Sequence, residues 1–109
     1  MILGLGVDIV AVDRIQRAMR RHGFLQRVLT PEERSYASGP AWVAGRWAAK
    51  EAVAKAVGLS LTWQDVEIFN GPSGRPSAVV RGLPRGTVHV SLSHERGNAV
   101  AVAIWEGES

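Results

Sequence analysis

The sequence predicts an α+β domain in which a small, mostly antiparallel sheet wraps around one long helix, and three observations carry that prediction. Residues 2–12 are apolar and rich in β-branched side chains, as a strand requires. Residues 41–57 form a long, alanine-rich run that reads as a helix. Four short apolar runs then follow, separated by glycine- and proline-rich turns. A strand, then helices, then hairpins keeps the two structure types apart along the chain, whereas an α/β domain would alternate them.

Taken in order, residues 2–12 are the first strand, and Gly4 and Gly6 allow a neighbouring backbone or ligand to come close. Asp13 reads as the N-cap of a helix running to about Arg21, with Ile15, Ala18 and Met19 on its apolar face and His22-Gly23 as its stop. Thr30-Pro31-Glu32-Glu33 joins a capping hydroxyl, a first-turn proline and a glutamate at the third position, which is a capping box opening a second, short helix. Ser38-Gly39-Pro40 breaks that helix, and the long helix ends at Gly58. Its alanines permit close packing. Residues 66–69, 77–81, 88–93 and 99–105 then read as strands of a meander-like sheet. The last of these, Ala99 through Trp105, is apolar throughout, so both its faces are expected to meet protein, one of them in another subunit.

At 109 residues the chain fits a single domain, 1–109, and with 46% hydrophobic and 21% charged residues it has the composition of a globular protein. The absence of cysteine excludes disulfides, thiolate metal sites and a cysteine nucleophile, and it permits a reducing, cytoplasmic setting. Residues 1–12 carry Asp8, lack a basic leader and are too short to span a bilayer, so no membrane segment is expected. The net charge of +3 is unevenly distributed: Arg14, Arg17, Arg20, Arg21, Arg27 and Arg34 crowd one third of the chain. Such clustering favours an acidic partner or a phosphate ligand, nucleic acid included.

On the long helix Trp47, Glu51 and Lys55 follow at four-residue steps and share a face, while Arg46 and Lys50 form the adjacent ridge. Two readings of that face stay open. Glu51 and Lys55 are either a solvated ion pair beside a packed tryptophan, or a carboxylate and an ammonium arranged for work on a phosphorylated substrate. Asp8, within an apolar strand, must be paired, hydrogen-bonded, metal-bound or placed at an edge. His94, near a hairpin, is either an incidental surface residue or a donor to phosphate, and Arg75 in Gly74-Arg75-Pro76 is either turn chemistry or an anion clasp. Arg14, Arg17 and Arg21, flanked by Arg20, form a stripe of one sign opposite the apolar face, suited to docking something acidic.

Together these residues resemble the short phosphopantetheinyl transferases of the holo-acyl-carrier-protein synthase type. The resemblance runs nearly end to end: Gly4-Leu5-Gly6-Val7-Asp8-Ile9-Val10 with Arg14-Ile15, Phe24 with Arg27-Val28-Leu29-Thr30 and Glu33, and Ala44-Gly45-Arg46-Trp47-Ala48-Ala49-Lys50-Glu51-Ala52 with Lys55-Ala56. It continues through Asp65-Val66-Glu67-Ile68, Gly74-Arg75-Pro76 and Val90-Ser91-Leu92-Ser93-His94. The resemblance implies transfer of the phosphopantetheine arm of coenzyme A to a serine of apo acyl carrier protein, releasing adenosine bisphosphate, in service of fatty acid biosynthesis. It implies Asp8 and Glu51 as ligands of Mg²⁺, Lys55 as the group that stabilises charge on the pyrophosphate, and either Glu51 or a water on the metal as the base. Arg46, Lys55, Arg75 and His94 are the implied coenzyme A contacts, and Arg14, Arg17, Arg20 and Arg21 the implied carrier-protein contacts. A homotrimer with active sites at subunit boundaries is implied as well. Trp47 stands where the family often has phenylalanine, Glu95 follows His94 where a small hydroxyl residue is usual, and the segments after Thr30 and around Gly58 are shorter than usual.

Two rivals complete the reading. A small basic nucleic-acid-binding module would explain the arginines and the four tryptophans, but it gives Asp8 and Glu51 no role. An inactive scaffold would keep the fold without the reaction.

Overall fold

The computed structural model describes residues 1–108. Its elements in chain order are β1 (Ile2–Ala11), α1 (Val12–Met19), α2 (Phe24–Val28), α3 (Pro31–Tyr36), α4 (Pro40–Val57), a 3₁₀ turn (Trp63–Asp65), β2 (Val66–Asn70), β3 (Pro76–Val80), β4 (Thr87–Glu95) and β5 (Asn98–Glu106). All strand pairs are antiparallel, and the α+β class stands. The strands divide into two sheets, however, where the sequence pattern reads as one meander. β1, β5 and β4 form a three-stranded sheet in that order, and β2 with β3 forms a separate hairpin. The Arg81 amide donates to the Asp65 carbonyl at 2.7 Å, one step beyond the Val66–Val80 pair, so β3 stays paired with β2 to its end.

Helix α4 lies against the three-stranded sheet, and small residues on both sides make the approach close. Ala44, Ala48, Ala49, Ala52 and Ala56 of the helix, with Ala99, Ala101 and Ala103 of β5, are all buried. At Gly4 and Gly6 a Cβ would overlap the backbone of Ala56 and Ala52, so only glycine lets β1 sit this near. Two residues along β1 match four residues back along α4, because both steps cover roughly 6–7 Å. The same step carries Asp8 to the middle of the helix.

Several element ends differ from the pattern. α1 starts at Val12, with Ala11 at the N-cap and no side-chain cap; Asp13 lies in the first turn, not at the cap. The Val12 amide instead donates to the Gly97 carbonyl at 2.7 Å, so the helix start is satisfied by the β4–β5 turn. α2 has no counterpart in the sequence reading, since five residues are too few to display a helical period; Phe24 and Val28, one turn apart, bury it. The capping box at Thr30 forms as expected, Thr30 Oγ1 accepting from the Glu33 amide at 3.2 Å and Glu33 Oε1 accepting from the Thr30 amide at 2.8 Å. The β4–β5 hairpin closes over only Arg96 and Gly97, both at positive φ (51° and 102°), which extends β4 past His94.

The outer face of the three-stranded sheet is apolar. Leu5, Val7 and Ile9 of β1 are 55–66% exposed and stand beside Val100 and Val102 of β5. β5 thus buries its alanine face against α4, while the chain itself leaves its valine face uncovered.

Candidate active site

β1 is an edge strand, and Asp8 projects from it on the α4 side with only 16% of its side chain exposed. Lys55, in the last turn of α4, reaches across to it: Nζ lies 3.2 Å from Asp8 Oδ1 and donates to the Val7 carbonyl at 2.9 Å. The Glu51–Lys55 surface pair that helical spacing allows is therefore not formed. Lys55 pairs with the strand instead. Glu51, half-buried, lines a small cavity of about 160 Å³ with Lys50, Ala54, Leu61, Thr62, Trp63 and Val66. It enters no ion pair or side-chain hydrogen bond among the described residues, so its charge is uncommitted.

Asp8 and Glu51 come from the strand and the helix that the glycines bring together. Among the described residues no three acidic or histidine side chains converge. A cation here would be held by two carboxylates and by oxygens that the chain does not supply. That donor set suits Mg²⁺, which keeps waters and substrate phosphate oxygens beside one or two carboxylates.

Trp47, one turn before Glu51, anchors a layered wall. Its ring stacks on Phe24 with centroids 5.9 Å apart and meets Trp63 at 4.3 Å. The Arg14 guanidinium lies over Trp47 at 5.5 Å and that of Arg27 over Phe24 at 5.7 Å, so the basic edge is tied to this wall. Arg14 and Arg17 are exposed on α1; Arg20 is its C-cap and Arg21 lies just beyond, so the stripe continues past the helix end into the turn.

Arg46 is buried and faces elsewhere. Its Nη2 donates to Asn70 Oδ1 at 3.3 Å, its guanidinium covers Trp42 at 4.3 Å, and its Nε is buried with no hydrogen-bond partner among the described residues. Burial lowers its pKa from the usual arginine value, with the charge of Glu33 opposing. Five residues separate Arg46 from Glu51, about 140° around the helix. Arg46 therefore sits beside the β2–β3 hairpin, whose exposed turn carries Arg75, next to a cleft of about 820 Å³ lined by Glu32, Tyr36, Trp42, Glu67 and Asn70. His94 is exposed on the Asp8 side of the sheet: the register sets Asp8, Ala101 and Leu92 in one row and Val10, Ala99 and His94 in the next. One chain thus brings Lys55 to Asp8, with Glu51 one turn before Lys55 on α4, whereas Arg46 points away from Glu51 toward the hairpin that carries Arg75.

One polar group escaped the sequence reading. Lys50 and Glu33 form an ion pair at 2.6 Å with both side chains 1% exposed. Lys50 also donates to the carbonyls of Val28 at 2.8 Å and Trp63 at 3.0 Å, and Glu33 Oε2 accepts from the Ile68 amide at 2.8 Å. Four segments are tied to α4 through this pair. A charge on a helix apolar nearly all round was the available signal; the partner, seventeen residues earlier, was not legible. Thr62 and Asp65 form a second capping box, whose T-x-x-D pattern the sequence does display.

Residues 4–104 match the model of the 4'-phosphopantetheinyl transferase superfamily. A holo-[acyl-carrier-protein] synthase of an Exiguobacterium species is 42% identical over 99% of this chain and 95% of its own length. The crystal structure of the Bacillus anthracis holo-(acyl-carrier-protein) synthase, in complex with CoA (3',5'-ADP), superposes with a TM-score of 0.89 at 36% identity, covering 99% of both chains. The Helicobacter pylori holo-[acyl-carrier-protein] synthase, in complex with coenzyme A, does so with a TM-score of 0.87 at 28% identity, covering 94% of this chain and 99% of that one. A strand aspartate beside a helix that carries a free glutamate and a lysine, in a chain matched along nearly its whole length, identifies a member of the 4'-phosphopantetheinyl transferase superfamily.

Proposed function

We infer that the chain is a holo-acyl-carrier-protein synthase, which transfers the phosphopantetheine arm of coenzyme A to a serine of apo acyl carrier protein. Its relatives carry that name along their full length, and two solved relatives hold coenzyme A or its nucleotide. Nothing in the comparisons favours nucleic acid. In the reaction the serine oxygen bonds to the phosphorus bearing the pantetheine arm, the pyrophosphate P–O bond breaks, and adenosine bisphosphate leaves with the negative charge.

The single observation that carries the site assignment is the convergence of Asp8 and Lys55 beside the uncommitted Glu51. Asp8 and Glu51 would hold Mg²⁺, which when bound neutralises pyrophosphate charge and acts as a Lewis acid. Lys55 offsets the charge that grows on the leaving phosphate. Glu51 would take the serine proton, directly or through a water. Arg46, Arg75 and His94 serve the nucleotide phosphates, and the exposed Arg14, Arg17, Arg20 and Arg21 receive the acidic carrier protein.

Two features support a homotrimer. The apolar outer face formed by Leu5, Val7, Ile9, Val100 and Val102 is of the kind that a second copy covers. The separation of Arg46 and Arg75 from Asp8 and Glu51 around α4 fits a site completed by two chains. Among the described residues no helix is long and apolar enough to cross a membrane, and a chain free of cysteine suits a cytoplasmic setting. Incubating the protein with apo acyl carrier protein, coenzyme A and Mg²⁺ tests the reading. The carrier gains the mass of one phosphopantetheine with the wild type and not with Glu51→Gln; no gain with the wild type overturns the activity, and full gain with the variant overturns the site.

A further inference from the structure

Lys55 is engaged before any substrate arrives, and its partner is the carboxylate proposed as a metal ligand. Its ammonium spends one proton on Asp8 Oδ1 at 3.2 Å and another on the Val7 carbonyl at 2.9 Å. We propose that Lys55 is the resident counter-ion of Asp8 in the substrate-free enzyme, occupying the carboxylate that the divalent cation must take, and that coenzyme A frees Asp8 by drawing this ammonium to its pyrophosphate. This rests on the reading of Asp8 as a metal ligand.

Three observations support it. Asp8 is mostly buried and, among the described residues, has no other cationic side chain within ion-pair distance, so without Lys55 its charge would be poorly compensated. Lys55 is 54% exposed in its side chain, which leaves it free to swing toward a ligand. The Val7 carbonyl on the edge strand gives the ammonium a second anchor one residue from Asp8, so release of the carboxylate moves Lys55 without discarding it.

A half-exposed ion pair holds its partner by no more than about a fivefold preference. A divalent ion can therefore displace it, though at reduced affinity. Metal and coenzyme A then favour one another's binding partly through this lysine, as linkage demands.

The test measures Mn²⁺ binding to the coenzyme A-free protein by electron paramagnetic resonance, for the wild type, Lys55→Met, Lys55→Gln and Asp8→Asn, with folding checked by circular dichroism. Both neutral lysine variants should bind Mn²⁺ about two- to tenfold more tightly than the wild type, from loss of the competing ion pair and of a like charge. Asp8→Asn should bind it more weakly. The variants that lose transfer are thus expected to gain metal affinity when coenzyme A is absent. If Asp8→Asn weakens binding and the lysine variants bind no more tightly than the wild type, the counter-ion proposal fails and the ligand assignment stands. If Asp8→Asn leaves Mn²⁺ binding unchanged, both fall.

Discussion

Lys50→Met keeps the length of the side chain and removes its ammonium, and it is expected to cost about 3–5 kcal/mol of folding stability. The figure follows from what the change strands. Glu33 would retain its carboxylate at 1% side-chain exposure with its counter-ion gone, and the carbonyls of Val28 and Trp63 would each lose a charged donor. At roughly 4 °C per kcal/mol for a domain of this size, the melting temperature should fall by roughly 12–20 °C. The pair is not a net stabiliser in the same measure. Burial is the largest influence on Lys50 and lowers its pKa, against the hydrogen bond and charge of Glu33, so desolvation outweighs attraction. With the folded pKa below the unfolded one, the unfolded chain binds the proton more tightly, and this group's contribution improves as pH rises from the folded pKa toward the ordinary lysine range. Removing both charges in Glu33→Gln/Lys50→Met should therefore recover much of the loss. Urea denaturation of the wild type, both single variants and the double variant gives the coupling energy directly. A Lys50→Met variant within about 0.5 kcal/mol of the wild type, or a double variant as unstable as the two single effects summed, would refute the buried-pair reasoning.

Gly6→Ala places a methyl group against the Ala52 backbone, which cannot yield, so it should cost about 3 kcal/mol of folding stability in urea denaturation and loosen β1 from α4. Charge reversal at Arg14 and Arg21 should raise the KM for carrier protein far more than that for coenzyme A; equal changes would remove the docking role. Asp65 has its pKa lowered, chiefly by the Thr62 backbone hydrogen bond, then by the Thr62 hydroxyl and Arg81. Its stabilising contribution is present above the ordinary aspartate range and is lost as pH falls through the depressed folded value. Melting curves from pH 7 to pH 2 should accordingly show a shallower acid-side decline for Asp65→Asn than for the wild type, and parallel curves would exclude that contribution.

Much of the fold was legible in local chemistry. The capping box at Thr30, the stop at Gly58 and the turn residues between strands act within a few positions of themselves, and each appears where its pattern places it. α2 was not legible, because one turn shows no period, and neither was the uncapped start of α1, because its first amide is satisfied by Gly97, far along the chain. The site divides in the same way. The Asp8, Glu51 and Lys55 residue types and spacing were in view from the start, but helical spacing paired Lys55 with Glu51.

The sequence by itself determined the α+β class, the long helix, the glycines that admit close packing and the identities of the chemical groups, since each depends on residue type and near neighbours. Only tertiary structure decided which charges meet. Lys55 bonds to Asp8 because Gly4 and Gly6 seat β1 against α4. Lys50 is buried against Glu33 because α3 and β2 close over the opposite side of that helix. Both outcomes depend on how elements distant in sequence pack, and no local spacing encodes the resulting distances.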